Sequence, residues 1–272
     1  MLEHELVANI LIHLLYFIGV VYFVGFLIYL LDRAFYRLLG GGRLVCYVTG
    51  LVGTPIHELS HALMCLFFGH RIREMRLYRI DRQSGVLGYV THTYNRRNPY
   101  HVMGNYFIGI APILVGTLFL CLMMRLLLPT AFEGFGAYLS DFADWQAQGL
   151  VLKQLIGVGA VFVSFLTLLF SAAGGWQFWV FLLLALCVSI HMNLSWADIR
   201  LSLAALPMPA ILLSLCHVAL YFLSAETYAR FVRALNVAGS YLAGVLMFSL
   251  ALSVLSVLLA LVLRLIRRLF AR

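Results

Sequence analysis

Long apolar runs with short polar interruptions make up most of this chain. Several of them reach the length of about 20 residues that a helix needs to cross the hydrocarbon core of a bilayer. These runs lie at 6–31, 44–68, 103–128, 151–173, 175–196, 203–224 and 237–265. The pattern therefore predicts an all-α, polytopic membrane protein with about six to seven transmembrane helices.

A less hydrophobic segment follows the second apolar run. Residues 69–101 are rich in arginine, and two alternating stretches flank the sequence DRQSG. Alternation around a turn-forming sequence is typical of a β-hairpin, with strands here near 74–80 and 86–94. The positive-inside rule places this basic segment in the cytoplasm.

A second polar segment has the opposite charge. Residues 129–150 carry Glu133, Asp141 and Asp144 and no basic residue, and we expect them to form an external loop. Over the whole chain, including the arginines of 69–101, basic residues fall almost equally on both sides of a seven-span arrangement, so charge alone does not decide the topology. Either one apolar segment is re-entrant or the span count is off by one, and 151–196 is the first candidate.

Composition supports a membrane protein over the other classes. Apolar residues make up 63% of the chain and charged residues 11%, against about 45–50% and about 25% in soluble domains. The formal net charge of +8 comes from arginines between and after the apolar runs, where lipid phosphates are the nearest anions. We therefore expect a lipid bilayer as partner and no nucleic acid. The five cysteines are odd in number and form no CxxC pair, which predicts core residues and no disulfide framework.

The second apolar run contains the motif with the clearest chemistry, TPIHELSHALM. In it His57, Glu58 and His61 follow the HExxH pattern. Residues four apart share one face of a helix, so both imidazoles can bind the same metal ion. Neutral imidazoles suit zinc, and Glu58 beside them can act as a base on water that zinc activates. The motif predicts a catalytic zinc site.

The position of the motif strengthens this interpretation. The three ionisable residues lie about 20–25 Å along the predicted helix, at 1.5 Å per residue. Exposure to lipid would be costly there, so these side chains face protein or a water-filled cavity and are functional by default. One alternative, two structural histidines with Glu58 paired to an arginine, does not explain the spacing. Another, the histidine box of a membrane di-iron oxygenase, needs several histidine clusters, whereas the other histidines are scattered.

A catalytic zinc usually has three protein ligands. Acidic residues are rare beyond the predicted hairpin, namely Glu133, Asp141, Asp144, Asp198 and Glu226. Only Asp198 belongs to a polar cluster that adjoins a long apolar run, in SIHMNLSWADIR. This favours Asp198 as the third ligand.

Other interpretations of the same cluster stay open. Asp198 could pair with Arg200 at a membrane interface, or Asn193 and Ser195 could hydrogen-bond neighbouring helices together. Histidines are also possible third ligands, namely His191, His92 and His101.

Together these motifs resemble the site-2 protease family of intramembrane zinc metalloproteases (peptidase family M50). The matching features are HELSH within an apolar run, a hairpin-like segment after it, GIAPILVG at 109–116 and NLSWAD at 193–198. The similar region extends from about 44 to 200. The chain lacks the proline that the family has after Leu194, and it has Ile199 where glycine is usual, so the resemblance is to a divergent member.

The resemblance implies a set of functional residues. His57, His61 and Asp198 would hold one Zn²⁺ per chain, and Glu58 would be the general base. Asn193 matches the asparagine that helps to hold the substrate backbone. The segment 109–112 matches the Gly-Pro element of the helix that follows HExxH in the family.

The resemblance also implies an organisation and a location. We expect a single membrane-embedded domain over 1–272, with an accessory helix in 1–43 and accessory helices in 201–272. The peptidase core would cover 44–200 and include a hairpin at 74–94. The expected location is the cytoplasmic membrane of a bacterium.

The expected function is that of a zinc-dependent endopeptidase. Its substrate would be a membrane protein with a transmembrane segment, cleaved within or near the bilayer. One alternative is a membrane HExxH protease of the prenyl-protein-processing type, which would need Glu133 or Glu226 as third ligand. The other is a non-catalytic membrane scaffold that binds zinc and partners only.

Overall fold

A computed structural model describes residues 2–38, 43–80, 86–146 and 151–270, which are mostly helical. The first helix, α1 (Leu2–Leu14), continues through a π-helical segment, Leu15–Val20, directly into α2 (Val21–Leu38). The helices are α1 (Leu2–Leu14), α2 (Val21–Leu38), α3 (Arg43–Phe67), α4 (Pro99–Leu127), α5 (Pro129–Gln146), α6 (Val151–Ser171), α7 (Trp176–His191), α8 (Trp196–Ala205), α9 (Pro207–Leu223) and α10 (Ala225–Phe270). Every predicted apolar run is thus largely helical.

Three of these helical stretches are long and apolar enough to cross a membrane. They are Glu5–Leu38, Pro99–Leu127 and Ala225–Ile266. The axes of α7 and α8 bend by 72° at a short break, and the two helices would add a fourth crossing if they formed one broken span. The protein is therefore membrane-associated and mostly helical, as the sequence predicted. The six to seven spans stay a prediction.

The predicted hairpin is present, with different strand bounds. Strands β1 (Arg71–Arg76) and β2 (Tyr89–Thr93) pair antiparallel, and the register is irregular between Ile72 and Glu74. The first strand begins and ends earlier than predicted because its pairing starts directly after the turn that ends α3. The turn sequence at 81–85 lies outside the described residues.

The segment 129–150, expected as an external loop, contains a helix that the sequence analysis did not predict, and its side of the membrane stays a prediction. Residues 129–146 form α5, which buries Ala131, Phe135 and Leu139 at helical spacing. The segment is acidic but also amphipathic. Burial of its apolar face stabilises the helix more than its polar residues disfavour it.

The backbone divides into two compact units. The first consists of Met1–Tyr22, Cys121–Phe181 and Leu206–Phe248. Its core contains the aromatic side chains of Phe135, Phe165 and Phe248, with ring centroids 5.0–5.2 Å apart in successive pairs. The predicted division of one domain into a core and accessory helices stays a prediction.

The second unit consists of Phe23–Leu120, Leu182–Ala205 and Ser249–Arg272, and it contains the HExxH helix α3. One face of α3 is apolar and exposed, and its residues are Leu44, Val48, Leu51, Leu59, Leu63 and Leu66. The opposite face buries polar side chains, including Thr49, Thr54 and His61. Polar groups on the inside and apolar groups on the outside are the reverse of a water-exposed helix and suit lipid contact.

Candidate metal centre

The two histidines of HExxH are oriented by backbone carbonyls. The Nδ1 atom of His57 lies 2.7 Å from the carbonyl oxygen of His191, and the Nδ1 atom of His61 lies 2.8 Å from that of Ile108. A carbonyl oxygen can only accept, so each Nδ1 carries a proton and donates. Each neutral ring therefore has its lone pair on Nε2.

Asp198 is positioned by the start of α8. Its Oδ2 accepts a hydrogen bond from the backbone nitrogen of Ser195 at 3.0 Å, and the Ser195 Oγ accepts one from the backbone nitrogen of Asp198 at 3.2 Å. This reciprocal arrangement is a capping box, in which residues three apart satisfy free backbone donors at a helix start. It leaves Oδ1 directed at His61, 3.6 Å from the Nε2 atom.

These atoms converge in a way that fits a zinc ion. The Nε2 atoms of His57 and His61 lie 3.2 Å apart, and one ligand atom from each of these residues and Asp198 lies within 4.8 Å of the others. Two nitrogens bound to a tetrahedral zinc at 2.0–2.1 Å are about 3.3–3.4 Å apart. Two unprotonated nitrogens this close would repel each other, so the donor set favours a cation between them.

Glu58 lies on the same buried side of α3, with 7% of its surface exposed. The chain passes it closely at Gly88, just before β2. A Cβ atom at Gly88 would lie 2.7 Å from the Glu58 Cγ and 2.9 Å from the Thr54 Cγ2. The hairpin therefore runs directly beside the proposed base, and only a glycine fits at this point.

Glycines also let the helices of this unit approach the ligands. A Cβ atom at Gly53 would meet the His191 side chain and the Cys187 carbonyl. A Cβ atom at Gly109 would lie 2.7 Å from the Ser202 Cβ and 2.5 Å from the Asp198 carbonyl oxygen. The packing of α7 and α8 against glycines thus holds the groups that orient or form the candidate metal ligands.

A methyl group at residue 109 should weaken metal binding without touching a ligand side chain. Gly109→Ala must push α8 away, and we expect a loss of about 1–3 kcal/mol in stability and of about 10–100-fold in zinc affinity. Gly174→Ala is the matched control because a Cβ atom there has no neighbour within 4 Å. Zinc titrations of both variants make the comparison. Equal affinities would show that α8 does not position the third ligand.

The other candidate ligands lie elsewhere. The ring of His191 contacts the hydroxyl groups of Thr49 and Thr54 at 3.2 and 3.4 Å, while its carbonyl group orients His57. Glu226 pairs with Arg230 at 2.5 Å, and that pair is exposed. Among the described side chains, neither Glu133 nor Glu226 joins the two histidines in a metal-ligand group.

His92 and His101 belong to a different cluster. His92 lies against His70, with the two Nδ1 atoms 3.0 Å apart, and the backbone carbonyl of His101 lies 2.8 Å from the His70 Nε2. Burial, together with the nearby His70 and His61, lowers the pKa of His92 to about 4. Burial also lowers the pKa of His70. Both imidazoles are therefore neutral at neutral pH.

Asn193 has a partner that sequence reasoning missed. Its Nδ2 donates to the Oδ2 of Asp32 at 2.8 Å, and Asp32 is buried near the end of α2. Asp32 is an acid within the candidate membrane-crossing stretch Glu5–Leu38, and such residues are rarely present without a role. That rule could have identified it. The two residues are 161 positions apart, so nothing local in the sequence pairs them.

Comparisons with known proteins add no family assignment. No family model matches the chain, and no curated protein or solved structure is significantly similar to it. The functional interpretation therefore depends on the site itself.

Proposed function

We propose that this protein is a zinc-dependent intramembrane endopeptidase of the site-2 protease type. The observation that carries the proposal is the convergence of two carbonyl-oriented imidazole nitrogens and the Asp198 Oδ1 beside Glu58. This set supplies three protein ligands with net charge −1, typical of catalytic zinc sites, and an adjacent carboxyl group that is not a ligand.

The roles of the residues follow from their atoms. His57 and His61 would hold the ion through Nε2, and Asp198 would hold it through Oδ1 and partly offset its charge. When bound, zinc would supply Lewis-acid chemistry, polarising the scissile carbonyl group and lowering the pKa of water. Glu58 accepts a proton from the attacking water and transfers it to the amide nitrogen that leaves.

The surroundings of α3 support a substrate within the membrane. The exposed face of α3 is apolar along its length, while the half-buried His57 and the buried His61 lie on its opposite face. A site with such a lipid-facing wall suits a substrate that reaches it through the bilayer. We therefore propose a membrane protein with a transmembrane segment as the substrate.

Cleavage requires an extended peptide, because helical hydrogen bonds shield the peptide bond of an intact helix. The hairpin provides a partner for such a segment, since a free strand edge can pair with an added strand. Its return strand begins at Tyr89, next to Gly88 and the Glu58 side chain. The hydrogen bonds that Asn193 donates to Asp32 and Ile190 both use Nδ2, so we assign its Oδ1 to a substrate N–H group.

The direct test is metal-dependent cleavage by the purified chain. In detergent or liposomes, with a panel of single-span membrane proteins as substrates, we expect cleavage that a zinc chelator abolishes. Adding back about one zinc per chain at this site should restore it. Cleavage that persists after complete zinc removal would contradict the proposal.

Two outcomes would favour the alternatives. A protein that binds zinc through His57 and His61 but cleaves no member of the panel would fit a scaffold. If Glu133→Gln or Glu226→Gln removed the zinc and Asp198→Ala did not, a protease of the prenyl-protein-processing type would be favoured.

A further inference from the structure

We infer that the chain has a second metal site, formed by Cys65, His70 and His92, at the junction between α3 and the hairpin. One ligand atom from each of these residues lies within 4.8 Å of the others. Cys65 and His70 are buried, and His92 is half-buried. The site shares no ligand with the HExxH centre and does not depend on the proposed peptidase function.

The end of α3 brings the first two ligands together. The backbone nitrogen of His70 donates to the Cys65 carbonyl at 2.8 Å, and that of Gly69 donates to the Leu66 carbonyl at 3.2 Å. These two hydrogen bonds define a Schellman motif. It requires a left-handed residue, and Gly69 has φ of +70°. The glycine thus turns the chain so that His70 returns beneath the last turn of the helix.

Hydrogen bonding prepares His70 for metal binding. Its Nε2 lies 2.8 Å from the carbonyl oxygen of His101, so Nε2 carries the proton and Nδ1 has the lone pair. An imidazole fixed by a backbone carbonyl in this way is the usual outer-shell arrangement of a metal-binding histidine. Gly104 leaves room for it, because a Cβ atom there would lie 3.0 Å from the His70 Nε2.

The third ligand comes from the hairpin. His92 lies on β2 opposite Ile72, and its Nδ1 is 3.0 Å from the Nδ1 of His70. This distance is close to the about 3.3 Å expected for two nitrogens on one tetrahedral zinc. Without metal, the His92 Nδ1 must donate to His70. With metal bound, the His92 proton resides on Nε2 and the Cys65 thiol proton is released to solvent.

The donor set indicates the class of metal. One thiolate and two imidazoles suit zinc or a chemically similar divalent ion and disfavour magnesium and calcium, which prefer oxygen ligands. Such an ion would connect the last turn of α3, the turn after it and strand β2. It would therefore anchor the hairpin, which runs past Glu58 at Gly88, to the helix that holds the HExxH motif.

Cobalt substitution distinguishes this site from the first. The purified full-length chain, stripped of metal and loaded with Co²⁺, should show a thiolate-to-cobalt charge-transfer band in the near ultraviolet. Cys65→Ser and His92→Ala should each lose this band and bind zinc more than about 100-fold more weakly there, since removing an outer-shell partner alone costs 10–100-fold. Cys187→Ser, at another buried free cysteine, is the matched control and should keep both.

Metal counts separate this inference from the peptidase proposal. We expect about two zinc ions in the wild type, one in Cys65→Ser and one in the His57→Ala/His61→Ala double variant. If the double variant keeps the thiolate band, the second site is supported whether or not the HExxH centre binds zinc. Absence of the band in the wild type, or its persistence in both Cys65→Ser and His92→Ala, would overturn the inference, leaving a hydrogen-bonded histidine pair.

Discussion

Replacing Glu58 with glutamine should abolish proteolysis and leave the zinc in place. Glutamine keeps the shape of the side chain but cannot accept the proton from water, and general acid–base catalysis is worth about 10²–10⁴-fold in rate. Glu58 lies beside the candidate metal ligands and is not one of that group. Cleavage rates and zinc content should be measured on the same preparation, so that loss of chemistry is separated from loss of metal.

Glu133→Gln is the matched control for this experiment. Glu133 lies on α5 in the first unit, whereas Glu58 lies on α3 in the second. We expect wild-type cleavage and zinc content from the control. If Glu58→Gln lost zinc as completely as His57→Ala, Glu58 would be a ligand or a structural residue, and the assignment of the base would fail.

The local part of the site could be predicted from sequence because its geometry is helical. The four-residue spacing of His57 and His61 places both rings on one face, and the structure confirms that their Nε2 atoms meet. The Ser195–Asp198 spacing follows the same logic, since it forms a capping box at a helix start. Such short-range relations depend on few backbone angles and can therefore be predicted from the sequence.

The long-range part was not predictable in the same way. The Asp32–Asn193 hydrogen bond and the carbonyl groups that orient the histidines join distant segments. The cluster of Cys65, His70 and His92 depends on the hairpin register, which was not predicted, and the hairpin itself was predicted with different strand bounds. Helix α5 was missed because charge was weighed above periodicity.

Asp198→Ala should remove activity together with the zinc of the centre formed by His57, His61 and Asp198. A divalent ion held by two neutral imidazoles in an apolar setting needs a negative ligand, and Asp198 is the carboxylate that lies 3.6 Å from the His61 Nε2. Asp198→Asn could keep some metal but should still impair catalysis, because the charge that offsets the ion is lost. Asp141→Ala, on α5, is the control and should change neither property.

Zinc X-ray absorption on the Cys65→Ser variant tests the central assignment most directly, because that substitution removes the thiolate of the second site. We expect about one zinc per chain, with two imidazoles and further oxygen ligands at about 2.0–2.2 Å and no sulfur. Adding Asp198→Ala to this variant should leave it without zinc. If the double variant retained zinc, a centre formed by His57, His61 and Asp198 would be contradicted. A zinc in Cys65→Ser with a single imidazole, or with a sulfur ligand at about 2.3 Å, would contradict it as well.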